Sequence, residues 1–512
     1  MKHLFVIPFE PSFTVPNRLY TTLEGAMCQA EQGNEVTLLF CDGKSTNFCW
    51  VNTKCDKQMC KFCNLYRKLF FRTLPKTIKY LPASQFFKES HQDYTTLTFD
   101  YKNNTELKGL YYKGVGIGYA ALSSYISQTR NLYPLMNDEF HKHLDPILAS
   151  IVQLTDIFIS ALEYQKPEHI GVYNARFVVS RPIFDICKSR DIDVTVYEPA
   201  PIFPEGKCCM PYLNTLPHDI EYNTNIINQI WNSDKHPREE KLKIANSFFY
   251  NRRNAIPAGD KVYVKDQQKG LLPDDWDSNK HNIVILNSSE DEFASLGKDF
   301  ENNLYPSQYR GIKDIFERYK NMNDYHFYLR IHPNLKDIPY AYHKKLYDLS
   351  KISNNITIIS GNSPISTYSL IDAAEKIIVF GSTTGLEAVF WGKPVILLSK
   401  CAYSYLDICY CPTSVEELDK YITSDLLPKD KQPALALAYC RLCDEFPPFK
   451  YFPYQFKRNK VAGRVFDIYR LNIAGHSWLK FTSTIIRVLG TVRRHIKYSS
   501  LKPTQEDPNA IL

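Results

Sequence analysis

Short apolar runs alternate with helix-period segments along most of this chain. Residues 4–7 carry a buried-strand pattern, 17–31 a helix pattern closed by Gly33, and 36–40 a second strand pattern. Strand, helix and strand in that order predict a parallel pair joined by a crossover. From 44 to 110 the periodicity gives way to a stretch rich in Cys, Tyr, Lys and Asn, which predicts irregular structure. Helix patterns return over 119–128 and 144–164, followed by a strand over 170–173, a helix over 178–188 and a strand over 193–197.

Residues 255–282 then carry the Pro, Gly and Asp punctuation of a linker. Beyond it the alternation restarts, with strand patterns at 283–286, 325–331, 356–359, 377–380 and 395–398. Helix patterns at 311–319, 341–349 and 366–374 separate them. No short-period repeat is present, only two α/β halves. The predicted fold is therefore α/β, with two Rossmann-like doubly wound domains facing a central cleft. Residues 1–260 and 261–450 would form the two domains, and 451–512 crossover helices and a tail. Ligands of such sheets bind beyond the carboxyl ends of the strands, and two domains across one cleft suit an enzyme with two substrates.

The densest chemistry lies at the strand-to-helix turn after residue 380, which reads Gly381-Ser382-Thr383-Thr384-Gly385-Leu386-Glu387. A turn there aims backbone N–H groups and the positive end of a helix at whatever sits beyond the sheet, an arrangement suited to phosphate. Ser382, Thr383 and Thr384 add hydroxyls, Gly385 would let a ligand approach the backbone, and Glu387 could accept hydrogen bonds from a ribose. An ordinary capped helix explains each residue singly, but not Gly385 together with the following Gly-Lys-Pro-Val-Ile. Arg330-Ile331-His332-Pro333 ends another strand of the same half, and Ser288 and Ser289 follow its first strand. The serines are candidate ligand groups, whereas Glu290, Asp291 and Glu292 would repel phosphate and are expected to be solvated or to meet a cation.

These segments resemble a known family. FGSTTGLEAVFWGKPVIL (380–397), NSSEDEF (287–293), LRIHPNLKD (329–337) and, more loosely, YNARFVVSRP (173–182) are similar to motifs of bacterial capsule polysaccharide biosynthesis proteins. Those proteins are glycosyltransferases of the two-domain GT-B type and include Kdo transferases. The resemblance implies a nucleotide-sugar donor held mainly by the second domain and a glycan or lipid-linked glycan acceptor held by the first. It puts His332 and Arg330 at the donor phosphates, where His332 could donate to the departing phosphate. It calls for no catalytic cofactor. A polyol-phosphate transferase using a CDP-activated donor, with a similar turn, and a non-catalytic assembly protein are the alternatives.

In the first half, Asn174 and Arg176 close a strand and are candidate acceptor contacts. The family tends to have Gly where this chain has Ala175. Glu198 ends the next strand, and either it or Glu10, after the first strand, could serve as the base that activates an acceptor hydroxyl. Gly114, Gly116 and Gly118 lack the spacing of a dinucleotide loop and predict a turn. Cys41, Cys49, Cys55, Cys60 and Cys63 lie close in sequence, with Cys60 and Cys63 in C-x2-C spacing. Cys41, Cys49, Cys60 and Cys63 could share a structural zinc, or all could be reduced thiols.

Composition adds little beyond this. The net charge of +7 fits a phosphorylated ligand or an anionic surface, and no nucleic-acid-binding signature accompanies it. The apolar run at the amino terminus stops at Pro8, unlike a signal peptide, and no run of about 18 apolar residues occurs. A cytoplasmic location is expected. Near the other end, Trp478, Phe481, Ile485, Leu489, Val492 and Ile496 form an apolar stripe set among Lys480, Arg487, Arg493, Arg494 and Lys497. Residues 478–497 would lie on an anionic membrane face or pack on the first domain.

Overall fold

The computed structural model describes residues 1–451 apart from 10–15, 45–48, 50–56, 73, 90–92, 202–206, 257–261, 293, 298–299, 302–303, 337, 339 and 447. Glu10, Cys55 and the basic stripe at 478–497 therefore lie outside the described residues. Two sheets organise the chain. The first contains β1 (Lys2–Val6), β2 (Glu35–Phe40), β3 (Lys79–Pro82), β4 (His169–Tyr173), β5 (Asp193–Pro201) and β6 (Lys207–Leu213). Its order is β3-β2-β1-β4-β5-β6, parallel except for β6. Strand β5 runs four residues past its expected end at 197, because β6 folds back and pairs with the overhang, Glu198 opposite Met210.

Helices α1 (Pro16–Glu31), α2 (Lys57–Phe71), α3 (Asn104–Lys108), α4 (Ile117–Thr129), α5 (Asp138–Gln165) and α6 (Ser180–Ser189) flank this sheet. Helix α2 and strand β3 fall in the stretch expected to be irregular. Helix α5 is long and apolar enough to cross a bilayer, yet 72% of that window is buried inside the protein, so it is a core helix here.

Helices α7 (Ile220–Trp231) and α8 (Arg238–Arg253) precede the second sheet. That sheet comprises β7 (His281–Leu286), β8 (Tyr325–Arg330), β9 (Ile356–Ile359), β10 (Lys376–Val379) and β11 (Val395–Leu397). It is parallel throughout, in the order β11-β10-β7-β8-β9. Strands such as β7 and β8 are buried on both faces, which is why they read as continuous apolar runs. The connecting helices are α9 (Gln308–Tyr319), α10 (Ala341–Asp348), α11 (Thr367–Ala373) and α12 (Thr383–Phe390), followed by α13 (Val415–Thr423) and α14 (Gln432–Leu442).

Helices α7 and α8 belong physically to the second unit, although 1–260 was expected to be one domain. Ile227, Ile230, Phe248 and Phe249 join the core that α12 and α14 form on one face of the second sheet, and Phe249 stacks on Phe390 at 3.9 Å. After α14 the chain returns to the first unit. Pro448 bridges to Cys208, and the buried Glu24 of α1 accepts the backbone N–H of Lys450 at 2.6 Å and of Tyr451 at 3.0 Å.

One arginine ties the two units together at the cleft. Arg130, left-handed at φ 59° where α4 ends, makes a two-point contact with Asp291 at 2.9 and 3.0 Å. It also reaches the Asn334 carbonyl and the Ser289 hydroxyl. Asp291 thus meets a cation, one of the two outcomes expected for the acidic trio. Glu290 is not solvated: it accepts the Gln308 N–H at the start of α9, and burial pushes its carboxyl up to about 7.

The first sheet carries an acid-sensitive residue. His3 on β1 is 4% exposed, and neither ring nitrogen has a hydrogen-bond partner. Burial first, then His169 and the terminal ammonium, hold its imidazole down to about 4. Below the usual histidine value of about 6.5 the unfolded chain takes up this proton first, so stability is lost as pH falls toward 4. His3→Phe removes no hydrogen bond and is expected to lose less stability than the parent between about pH 7 and about pH 5. Urea unfolding at both pH values measures this, and equal losses would remove His3 as the cause.

Candidate functional site

Strands β7 and β10 lie side by side, but the chain leaves β7 toward β8 and β10 toward β11. At this switch point the loops part and leave a crevice. The Ser288 hydroxyl closes its floor by donating to the Phe380 carbonyl at 2.7 Å. A cavity of about 480 Å³ opens above, and Ser288, Ser289, Arg330, His332, Ser382, Thr383, Thr384 and Glu387 all line it. The structure therefore brings together, from three separate strand ends, all the predicted donor-side residues except Gly385.

The turn into α12 is built around Gly381, which is left-handed at φ 80°, and Ser382, whose hydroxyl accepts the Thr384 N–H at 3.3 Å. Gly385 is buried and faces the protein. A Cβ there would lie 2.6 Å from the Tyr403 hydroxyl and 2.9 Å from Val379. Its small size makes room for Tyr403, which donates to the Ser382 carbonyl, rather than for a ligand. Glu387 is 2% exposed. One of its oxygens accepts from Arg252 Nε at 3.0 Å and the other from the Tyr368 hydroxyl, so both are already engaged by the chain, where ribose hydroxyls were expected.

Arg330 ends β8 and is 3% exposed. Its two terminal nitrogens donate to the Ser360 and Ser363 carbonyls at 2.9 and 3.1 Å, its Nε has no partner, and burial lowers its pKa to about 10. Among the described residues no carboxylate pairs with it. A buried cation of this kind is costly until an anion joins it. His332 accepts the Asn334 N–H on Nδ1 at 3.1 Å, which puts the proton of the neutral ring on Nε2. Tyr263 meets this ring edge-on at 5.0 Å. The serines are more committed than expected. Ser289 accepts from Arg130 and Asn334 and donates to Asp291, so both serines shape the floor and neither hydroxyl proton is spare.

Arg252, Arg441, Gln267, Tyr263, Tyr368 and His218 also line the cavity and were not foreseen. They come from α8, α14, the linker, α11 and the β6–α7 segment, away from the strand-end turns that sequence reasoning searches. The only advance signal was Arg252-Arg253 beside a linker that enters the second unit. Among the described residues lining the cavity there are thus three arginines and one carboxylate, Glu387, which Arg252 contacts.

On the first unit, Asn174 and Ala175 are consecutive left-handed residues at φ 59° and 60°, so the family's glycine is understandable there. This turn carries the Asn174 amide to Glu198, to which it donates. Burial pushes the Glu198 carboxyl up, with Asn174, Arg176 and Arg18 opposing. Arg176 lies near enough to the cleft to help burial lower the His218 imidazole to about 3. The glycine stretch is a turn, as expected: Gly116 donates to Asp185 at 3.0 Å, and Gly118 has no room for a side chain beside the Leu107 carbonyl.

The proposed zinc ligands do not assemble. Cys41 accepts the Gly43 N–H at 3.3 Å, and Arg67 donates to the Cys63 sulfur at 3.1 Å and to the Cys41 carbonyl. A guanidinium thus sits among these sulfurs. No three His, Cys, Asp or Glu side chains among the described residues are arranged to hold a metal, and Cys49 and Cys60 complete no such set.

Gly385→Ala is expected to destabilise the ligand-free protein by about 1–3 kcal/mol, because Tyr403 and Val379 must move. Chemical unfolding without ligand measures it. Unchanged stability with weakened ligand binding would restore Gly385 as a ligand contact.

Part of the chain is similar to a known family. Residues 217–414 match the family model described as capsule polysaccharide biosynthesis protein, and a search of curated proteins finds no match. Among solved structures, Thermosulfurimonas dismutans KpsC, beta Kdo 2,7 transferase, is 15% identical, with 62% of this chain and 90% of that chain covered at a TM-score of 0.32. UDP-GlcNAc 2-epimerase from Neisseria meningitidis bound to UDP-GlcNAc is 14% identical, with 85% and 89% covered at 0.20. Likenesses that distant carry no functional weight. The matched segment begins just before α7 and contains most of the cavity wall, so over residues 217–414 this chain is similar to the capsule polysaccharide biosynthesis proteins.

Proposed function

We propose that the chain is a glycosyltransferase of bacterial capsule or surface polysaccharide synthesis, moving a sugar from a nucleotide-sugar donor to a glycan acceptor. The observation that carries this reading is the set of cations that line the cleft: among the described residues, Arg252, Arg330 and Arg441 with one carboxylate, Glu387. Such a cavity, at the carboxyl ends of parallel strands and at a helix start, suits the phosphates of a nucleotide. In this reading the Thr383 N–H and the Ser382 turn receive the phosphate. His332 donates from Nε2 to the oxygen that leaves with it, and the arginines neutralise the charge that develops. Glu198 removes the acceptor's proton. Burial that raises its pKa makes the carboxylate a stronger base, and the turn with Asn174 and Arg176 is the acceptor side. We place the reaction in the cytoplasm, with 478–497 toward the inner membrane face.

A thermal-shift screen against CMP, CDP, UDP, GDP and their sugar conjugates tests the donor. A ligand at a hundredfold over its Kd adds roughly 2.7 kcal/mol of stability. One responding base names the donor class, and silence from all of them removes the reading. Phosphate retained in the product would move the assignment to a polyol-phosphate transferase. With an active donor, His332→Ala is expected to lower kcat by about 10²–10³-fold with a smaller change in KM. An unchanged kcat would take His332 out of the chemistry.

A further inference from the structure

We propose that Gln267 selects the base of the donor nucleotide, its side-chain amide donating to a carbonyl oxygen or ring nitrogen on the edge of that base. This rests on the nucleotide-donor reading above and names the group in the cavity that would tell one nucleotide from another.

Gln267 belongs to the linker that precedes the second sheet, and that linker is built into the cavity wall. Gln268 pairs in parallel with Ile365 and donates to the Pro364 carbonyl at 2.8 Å. Gly270 donates to the Ser369 hydroxyl at 2.9 Å, and the Leu271 carbonyl accepts the Ser366 N–H at 3.3 Å. The linker is thereby fastened to the segment between β9 and α11, the same segment whose Ser360 and Ser363 carbonyls receive Arg330. Within this frame the orientation of the Gln267 amide is fixed. Its Oε1 accepts the Thr367 N–H at 2.7 Å. A backbone N–H can only donate, so the oxygen must be the atom that faces it and Nε2 the atom that is left over. That nitrogen is buried and has no hydrogen-bond partner.

A buried amide N–H2 left unpaired is costly, and a ligand that enters the cavity can supply the missing acceptor. Position says which part of a nucleotide that would be. The start of α12, which suits phosphate, lies at the end of β10, and from there the cavity runs past β7 to β8, two strand spacings or about 10 Å. The linker closes the far end, where Tyr263 meets His332 edge-on. It contributes Val262, Tyr263 and Val264 as well as Gln267 to the lining. Apolar and aromatic side chains around one amide donor suit a flat heterocycle better than a phosphate or a polyhydroxylated sugar. With Oε1 committed to Thr367, Gln267 offers hydrogens only. The base edge it reads must therefore present an acceptor, since an amino group there would set N–H against N–H.

The test measures binding by calorimetry on the full chain, with the nucleoside diphosphate of each common base and inorganic pyrophosphate as probes. Gln267→Glu keeps an oxygen for the Thr367 N–H and replaces the donor by an acceptor. Gln267→Met keeps the length and offers no donor at any pH. Both variants are expected to weaken the best-bound nucleotide by about 10- to 100-fold. The other bases, which lose no matched contact, and pyrophosphate should weaken much less, so that the preference for one base shrinks. The charge that Gln267→Glu adds acts on every diphosphate alike, and the ratio between bases removes it. A base preference that both variants keep overturns the assignment of Gln267, whether all nucleotides hold the parent's affinity or all weaken by one common factor. The common factor would mark a contact to ribose or phosphate instead. Parent protein that binds every base equally also overturns it, and in each of these cases the bound nucleotide leaves the donor reading standing. Parent protein that binds no nucleotide overturns both.

Discussion

The cleft depends on one constraint: β7 and β10 are hydrogen-bonded neighbours whose continuations leave in opposite directions. Side by side along their lengths, the strands leave no room between them. At their carboxyl ends the loops must part, and the Ser288 hydroxyl bonded to the Phe380 carbonyl marks where they do. Everything polar in the site then follows from position. The Ser382 cap lies at the end of β10, Arg330 and His332 at the end of β8, and the serines at the end of β7. Parallel order makes all three ends open on the same side, so separate stretches of sequence converge without any contact between them along the chain.

Convergence of cations has an energetic cost that packing must offset. Arg330 is nearly inaccessible and meets only backbone carbonyls, and Arg252 is held by a buried carboxylate. Each would prefer water, and burying such cations is costly without good partners. The surrounding core is what holds it: α8, α12 and α14 bury aromatic residues against one face of the sheet, a large apolar gain. Across the cleft, Arg130 spends its guanidinium on Asp291, Ser289 and Asn334. The serine floor of the cavity is thus joined to the first unit, and a change in the relative position of the two units would be felt directly beneath the ligand.

The sheet residues were legible because a parallel strand buried on both faces must be an unbroken apolar run, and the glycine and hydroxyl turns after such runs have few other uses. What escaped has a common cause. Arg252, Tyr368 and Arg441 enter from helices whose arginines and tyrosines look like any solvent-facing residue until the fold places them. Gly385 was read as an approach for a ligand because sequence does not reveal that Tyr403, eighteen positions later, occupies the space. Glu387 was read as free because its partner lies 135 positions earlier. The boundary before β7 was put too late for a related reason. Proline and glycine mark where a chain bends, whereas the membership of α7 and α8 is decided by which core their aromatic faces enter. The cysteines show the same limit, since spacing gave thiols in reach of one another but not the Arg67 guanidinium among them.

The two halves also divide the electrostatics that the proposed transfer reaction would need. The second unit gathers cations and a helix start, which in the proposed reaction would stabilise a leaving phosphate. The first contributes Glu198, whose pKa is raised by burial and whose position is fixed by Asn174. That amide reaches the carboxylate because the chain accepts two successive left-handed residues, Asn174 and the Cβ-bearing Ala175, a conformation that costs roughly 1–2 kcal/mol for an L residue other than glycine. This turn, at the carboxyl end of β4 and beside the overhang that β6 pairs with and extends, aims a carboxylate rather than a backbone group from the first sheet's rim; in the proposed reaction it would give the base a fixed address, while Asp291 and Glu387 on the second unit are each paired with an arginine.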